Sequence, residues 1–292
     1  MRRACIDIGS NTTRLLVADT IDGRLEHVEQ ERAFTHIRQG RQADGTLSAE
    51  KLAEVVSVVS SQLERARASG AEQVVAVATA AVRRAANGRE LAAALERGCG
   101  LRLRILSEDE EARLAFIGAC GAAAVAGTLA AELGVADVGG GSSELIVGTG
   151  PDTIQWSASL ELGSGDLADA CFRSDPPSAI ELADARERIE QSLAGLQVPR
   201  PAAAVAVGGS AASLQRLAGP RLDRPAFLAA MELLRGGEAR VVAGRTGLDA
   251  ERVRLLPAGL LILEAVHERF GVPLELVGGG LREGVLMELA RA

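Results

Sequence analysis

The segment Asp7-Ile8-Gly9-Ser10-Asn11-Thr12-Thr13-Arg14-Leu15-Leu16-Val17 returns without a gap as Asp137-Val138-Gly139-Gly140-Gly141-Ser142-Ser143-Glu144-Leu145-Ile146-Val147, 130 positions further on (137 − 7). In both copies an apolar run delivers an aspartate, a turn containing glycine and small polar residues follows, and a second apolar run leaves. Such a turn between buried strands presents several backbone N–H groups at once, which is how an anion-binding nest is made. An aspartate at its mouth suits a hard divalent cation, which takes oxygen ligands and pairs with phosphate. The duplication therefore predicts two facing lobes, each contributing one loop to a phosphoryl-handling cleft.

The 292 residues, 47% of them hydrophobic, can bury a large core and exceed the usual size of one domain. Lobe I is expected over residues 1–116 and lobe II over 117–292, with the closing helix free to pack back on lobe I. No apolar run is long enough to span a bilayer, because the alanine-rich stretch at Gly118–Leu133 is broken by Gly121, Gly127 and Glu132. Met1-Arg2-Arg3 leads straight into a strand with no leader-like apolar region, so a cytoplasmic protein with no membrane partner is expected. The four cysteines show no metal-binding spacing and read as buried thiols. A net charge of −7 argues against a stable nucleic-acid partner. Lys51 is the single lysine among 32 basic residues, and arginine is the better bidentate partner for phosphate. Five phenylalanines, one tryptophan and no tyrosine make a poor platform for stacking bases.

Strands are expected at residues 4–8 and 15–20, at Leu25–Arg32 after an Asp22-Gly23 turn, and at Val74–Ala78 and Leu101–Leu106. Ser48 opens a helix in which Leu52, Val55, Val56, Val59 and Leu63 recur at helical spacing, with Gly70 beyond its end. Further helices are expected at 89–97 and from Glu108 to about Ala124. In the second half, strands are expected at 133–138, Glu144–Gly148, Thr153–Leu160, Ala203–Val207 and Leu274–Val277. Helices are expected at 178–194, 225–234, 238–244 and 257–269, with a last one closing the chain. Alternating strands and helices make this an α/β protein.

Three stretches carry chemistry. In the loops, Ser10, Asn11 and Thr12 and, in the second copy, Gly140, Gly141 and Ser142 offer N–H and hydroxyl donors to phosphate oxygens. Asp7 and Asp137 face a metal, and Glu144 completes a divalent-cation site where the first copy has Arg14. In Ser107-Glu108-Asp109-Glu110-Glu111-Ala112-Arg113, Ser107 and Glu110 have the spacing of a helix capping box. Glu111 stands beside that box, free to project into the cleft and take a proton from an attacking water. After the strand ending at Ala78, Thr79 can donate to phosphate and Arg83 can neutralise developing charge.

These pieces together resemble the exopolyphosphatase/guanosine pentaphosphate phosphohydrolase (Ppx/GppA) family, which is similar to actin and the sugar kinases. The resemblance runs through Ile6–Thr12, Arg38-Gln39-Gly40, Gly45–Ser48, Ala80–Asn87, Glu110–Arg113 and Asp137–Leu145. It continues in Gly247-Leu248, Arg252, Pro257-Ala258-Gly259 and Gly280–Gly284. It implies two actin-like (ribonuclease H-like) lobes with mixed sheets flanking an interlobe cleft. It also implies that Glu111 is the catalytic base, that Arg83 binds phosphate, and that Asp7, Asp137 and Glu144 attend Mg²⁺ or Mn²⁺. The expected reaction is release of terminal orthophosphate from inorganic polyphosphate. Leu162-Gly163-Ser164-Gly165-Asp166 lacks an arginine usual in the family, and the extra helical domains that longer members use to hold polymer are not expected in a chain ending at Ala292. Distributive cleavage favouring short chains is therefore expected. Guanosine pentaphosphate (pppGpp) as substrate, a non-catalytic nucleotide or polyphosphate sensor, and an ATP-using phosphotransferase seated at Gly208-Gly209-Ser210 stay open as alternatives. Monomer and homodimer are both open.

Overall fold

In the computed structural model, described for every residue except Asp22, Asp152 and Ala292, the chain divides into two compact units. Unit 1 comprises residues 1–118 and 281–292, and unit 2 comprises residues 119–280. The expected Asp22-Gly23 turn falls on Asp22, outside the described residues.

Unit 1 begins with β1 (Arg2–Ile8), β2 (Thr12–Ile21) and β3 (Arg24–Phe34), followed by α1 (Ala49–Ala68) and β4 (Gln73–Ala78). The short α2 (Ala80–Arg83), α3 (Gly88–Cys99), β5 (Leu103–Ile105) and α4 (Glu108–Ala126) complete its first part, the division between units falling within α4. The strands form one mixed sheet in the order β3-β2-β1-β4-β5, antiparallel on the β2 side and parallel on the β4 side.

Unit 2 contains β6 (Glu132–Val138), β7 (Ser143–Thr149), β8 (Thr153–Leu160), α5 (Ser164–Cys171) and α6 (Ala179–Leu193). It continues with β9 (Ala203–Val207), α7 (Gly208–Ala218), β10 (Arg221–Leu222), α8 (Arg224–Arg235), α9 (Ala239–Thr246), α10 (Ala250–Phe270) and β11 (Leu274–Leu276). Its sheet runs β10-β11-β9-β6-β7-β8. Read from β8, that is the strand order of unit 1 with one edge strand added.

The duplication reaches below topology. Ile8 pairs with Thr13 and Val138 with Ser143, so both turns close in the same register. The bulge between Val17 and Ala18 recurs between Val147 and Gly148, again 130 positions on (147 − 17). A one-residue slip would exchange the two faces of a strand, so a register kept through a bulge keeps the same positions on the same face in both sheets.

In unit 1 one sheet face packs Ile6, Ile8, Leu15 and Val17 against Val55, Val59 and Leu63 of α1 and Leu91 and Leu95 of α3. The other packs Cys5, Leu16 and Val77 against Leu114 of α4 and against Val285 and Leu286 of the closing helix α11 (Leu281–Arg291). With both faces covered, β1 reads as a continuous apolar run rather than an alternating one. Helix α11 meets α4 through Gly284, where a Cβ would stand 1.8 Å from the Leu114 carbonyl oxygen. Among the described residues no helix is long and apolar enough to cross a membrane.

Among the described residues three helices were not visible as such in the sequence: the one-turn α2, and α5 and α7, which open on glycine and serine and read as turn residues. Helix α10 starts earlier than expected. Pro257 suggests a first-turn position, yet it sits well inside α10. Leu255, Leu256, Ala258, Leu260 and Leu261 around it are all buried, so packing overrides the local cost of an interior proline.

Candidate active site

In unit 1 the Asp7–Thr12 loop lies between β1 and β2 and beside the end of β4, where the Thr79 N–H donates to the Ile8 carbonyl at 3.4 Å. Gly9 closes the turn by donating to the Thr12 carbonyl at 3.0 Å. The loop's carbonyls are held from outside: Asn11 O accepts from Thr35 and His36, and Ser10 O accepts from Arg38. The Asn11 side-chain oxygen is hydrogen-bonded to His36 Nδ1 at 3.0 Å. Ser10, Asn11, Thr12 and Thr79 are all buried, as expected of a fixed cradle and not of a mobile surface turn. Asp7 is directly opposite Arg14 on β2, on the same sheet face. Burial pushes the Asp7 carboxyl above the ordinary aspartate range, and Arg282 and Arg14 pull it partway back. Its Oδ1 is buried without a hydrogen-bond partner among the described residues.

Glu110 and Glu111 are neighbours in sequence and opposites in environment. Ser107 and Glu110 form the expected reciprocal cap: Glu110 N–H donates to Ser107 Oγ at 3.2 Å, and Ser107 N–H donates to Glu110 Oε2 at 2.9 Å. The capping bonds and Arg104 draw the Glu110 carboxyl down to about 2. Glu111 instead turns inward and is 6% exposed. Its Oε2 accepts from Arg83 Nη1 at 2.7 Å, and the same nitrogen donates to the Leu106 carbonyl at 2.8 Å. Burial pushes Glu111 above the ordinary glutamate range; Arg83 opposes this and Asp7 adds to it. Asp7 and Glu111 thus sense one another's charge within unit 1. Arg83 Nη2 is buried with no hydrogen-bond partner among the described residues and forms only a loose 3.7 Å ion pair with Glu108 Oε1, so the guanidinium retains a hydrogen-bond donor beyond those that hold the glutamate.

Unit 2 rebuilds the loop with other means. Gly139 N–H donates to the Ser142 carbonyl at 3.0 Å, matching the Gly9 bond. The carbonyls of Gly139 and Gly140 accept from Ser164, Gly165 and Asp166, which are the first-turn N–H groups of α5. This seating needs Gly163, since a Cβ there would fall 2.3 Å from Gly141 N. Asp137 is directly opposite Glu144 on β7, and Glu144 is opposite Ser159 on β8. Ser159 Oγ donates to Glu144 Oε1 at 3.3 Å. Two carboxylates facing each other across a ladder repel, and a cation between them reverses the sign. The Asp137 carboxylate is closely walled by α7, where a Cβ on Gly208 would come within 2.5 Å of Oδ1. Ser210, part of the supposed nucleotide seat, is 1% exposed and turns toward α10, its Oγ 2.5 Å from where a Cβ on Gly259 would be.

Sequence reading missed Ser159 and His36, and it named Gly163 and Gly208 without the packing roles they have here. Gly208 has φ of +88° and His36 +43°, conformations that sequence spacing does not announce. Ser159 becomes visible only once the strand register is known.

Two mixed sheets of one strand order, each delivering an aspartate into a glycine-bearing turn, define an actin-like α/β protein. The chain belongs to the Ppx/GppA phosphatase family, whose sequence model matches residues 16–292. It is 29% identical to exopolyphosphatase 1 of Mycobacterium leprae over 98% of this chain and 89% of that protein. It is 33% identical to exopolyphosphatase 2 of Mycobacterium tuberculosis over 74% of this chain and 70% of that protein. The crystal structure of the Aquifex aeolicus member of the Ppx/GppA family matches with a TM-score of 0.84 at 27% identity, covering 100% of this chain and 98% of the other. An exopolyphosphatase from Cytophaga hutchinsonii matches in fold, with a TM-score of 0.85 at 20% identity and the same coverage.

Proposed function

We propose that this chain is an exopolyphosphatase, a hydrolase that removes terminal orthophosphate from inorganic polyphosphate. The observation that carries the reading is the Arg83-held, buried Glu111, in a unit whose phosphate loop presents the orphaned Asp7 carboxylate. The similarity to two mycobacterial exopolyphosphatases supports the choice of substrate.

Glu111 takes a proton from water as the water oxygen attacks the terminal phosphorus in line. One P–O bond forms to that oxygen and the bridging P–O bond breaks, giving orthophosphate and a chain one unit shorter. Burial keeps the Glu111 carboxylate more basic than an exposed one, which improves it as a base. Arg83 fixes its orientation through Nη1 and offers Nη2 to the charge developing on the phosphoryl oxygens. Ser10, Asn11, Thr12 and Thr79 in unit 1, and Gly140, Gly141 and Ser142 in unit 2, are the donors for phosphate oxygens.

The acid residues fit Mg²⁺ or Mn²⁺. Among the described residues no group of three or more His, Cys, Asp or Glu side chains can hold a metal by itself. Mg²⁺ binds through one or two carboxylates and fills its remaining positions with water and substrate phosphate. Asp137 and Glu144, opposed across β6 and β7, are the pair in unit 2 that would hold it, and in unit 1 the buried Asp7 Oδ1 is the carboxylate oxygen open to a cation. When bound, the ion supplies neutralisation of the phosphoryl oxygens.

Orthophosphate release measured on polyphosphates of defined length, on pppGpp and on ATP, with Mg²⁺ present or chelated, tests the reading. Release from polyphosphate that stops on chelation is expected. Release from ATP or pppGpp alone would overturn it.

A further inference from the structure

We propose that Thr13 and Ser143, the hydroxyl residues just beyond the donors of each loop, are positioning residues: each holds the segment that aims its own loop's N–H groups at phosphate. The role rests on the phosphoanhydride reading above and falls on residues that donate nothing to phosphate themselves.

The two positions are 130 apart (143 − 13), and both side chains are fully buried. A buried hydroxyl is costly unless it is hydrogen-bonded, and each of these two is. In unit 1 Thr13 Oγ1 shares a hydrogen bond of 3.0 Å with Thr35 Oγ1, which is also fully buried. Thr35 opens the segment that follows β3. In unit 2 Ser143 Oγ donates to the Leu162 carbonyl at 2.6 Å, and Leu162 lies in the segment that follows β8. The loops differ, Ser10-Asn11-Thr12 against Gly140-Gly141-Ser142, and so do the partners. The tie nevertheless runs from the same position to the same place in the topology.

What each tie secures is the segment that grips the loop. In unit 1 the N–H groups of Thr35 and His36 donate to the Asn11 carbonyl, and that of Arg38 donates to the Ser10 carbonyl. In unit 2 the N–H of Ser164 donates to the Gly139 carbonyl, and those of Gly165 and Asp166 to the Gly140 carbonyl. In a planar trans peptide the C=O and the following N–H point in opposite directions. Holding the Ser10 and Asn11 carbonyls therefore directs the N–H groups of Asn11 and Thr12 away from the gripping segment. The Gly139 and Gly140 carbonyls do the same for Gly140 and Gly141. Helix α1 backs the unit 1 tie, with Gln62 Nε2 donating to the Thr13 carbonyl at 3.2 Å and Lys51 Nζ to the Thr35 carbonyl at 2.9 Å. The two carbonyls are thus engaged by α1 and the two hydroxyls by each other.

The test uses the full chain carrying Glu111→Gln, alone and with Thr13→Val, Thr13→Val plus Thr35→Val, Thr13→Ser, Ser143→Ala or Ser143→Thr. Melting temperature, hydrogen exchange by mass spectrometry and equilibrium binding of inorganic tripolyphosphate are measured on each. Thr13→Val strands the Thr35 hydroxyl and should lower the melting temperature by about 2–4 °C. The double valine variant strands nothing and should melt within about 1 °C of its parent. Its amides at residues 9–12 and 35–38 should still exchange about fivefold faster, and tripolyphosphate should bind about fivefold more weakly, the value of one hydrogen bond. Ser143→Ala should loosen residues 139–142 and 162–166 and weaken binding by a similar factor. Thr13→Ser and Ser143→Thr keep the hydroxyl and should recover most of these losses. A double valine variant that regains slow loop exchange and full binding along with its stability overturns the role of Thr13. Unchanged exchange at residues 139–142 in Ser143→Ala overturns that of Ser143. If the native chain releases no orthophosphate while these variants still loosen their loops and bind tripolyphosphate more weakly, the hydrolytic reading fails and the positioning role stands.

Discussion

Replacing Glu111 by glutamine separates chemistry from architecture, because the structure predicts opposite sizes for the two effects. Removing one partner of a buried ion pair ordinarily costs about 3–5 kcal/mol, since the other charge is left without compensation. Glutamine avoids most of that. It keeps an oxygen where Arg83 Nη1 now donates at 2.7 Å, and the Arg83 side chain is 19% exposed, so its charge is not sealed from water. The fold already resists the ionised form of Glu111, as its raised pKa indicates. A net loss of about 1 kcal/mol or less follows, equivalent to roughly 2–4 °C in melting temperature for a chain of this size. Turnover should fall by about two to four orders of magnitude, the value of a positioned general base, or about 3–5 kcal/mol of barrier. Thermal unfolding by circular dichroism and orthophosphate release at saturating polyphosphate read the two effects from one preparation. A folded Gln variant with turnover within about twofold of the native chain would refute the base assignment.

Other outcomes follow from the same geometry. Glu110→Gln should do the reverse, costing about 1 kcal/mol through the weakened cap while turnover stays within about threefold. The Glu110 carboxyl is depressed to about 2 in the folded chain, so its stabilisation is present above the ordinary glutamate range and lost as pH falls toward that value; acid melts of the variant should lose this slope. Asp137→Asn and Glu144→Gln should each raise the Mg²⁺ concentration giving half-maximal activity, and unchanged titrations in both would move the ion elsewhere. Gly284→Ala should destabilise by about 2–3 kcal/mol or more in denaturant melts, because its Cβ would meet a backbone carbonyl at 1.8 Å. Polyphosphate should be shortened distributively, because exposed arginine–phosphate contacts are individually weak and screened; a gel showing full-length polymer beside orthophosphate with no intermediate lengths would contradict this.

The strands that carry the repeated motif were legible in the sequence for a definite reason. Ile6, Ile8, Leu15 and Val17, like Val135, Val138, Leu145 and Val147, are buried, and burial on both faces leaves runs of apolar residues that no other structure explains as well. The Ser107–Glu110 cap was legible because its chemistry is local: two residues three positions apart satisfy each other. Helix α5 was not, because its start depends on a distant loop. Its first N–H groups are satisfied by the Gly139 and Gly140 carbonyls, a partner that no window of sequence around Ser164 contains. Helix α10 misled for a related reason: local rules place Pro257 at a first turn, and the surrounding core decides otherwise.

The residues about the loops divide along the same line. Asp7, Asp137, Glu144 and the loop donors announce themselves by repetition, but repetition alone does not say what each copy holds. That follows from register, which sets Asp137 against Glu144 and then Ser159, and Asp7 against Arg14 and then Arg32. A duplicated sheet with unchanged register and changed charge is a physical means of dividing labour. The backbone keeps presenting the same row of positions to the same face, so a substitution at one of them alters which ion is attracted without altering where it would sit. In the proposed reading the opposed Asp137 and Glu144 would attract a hard cation. Because Glu144 is 3% exposed, a larger or oppositely charged side chain there would disturb the sheet as well as the site, so Glu144→Gln, which keeps the size and removes the charge, is the substitution that isolates the electrostatic role.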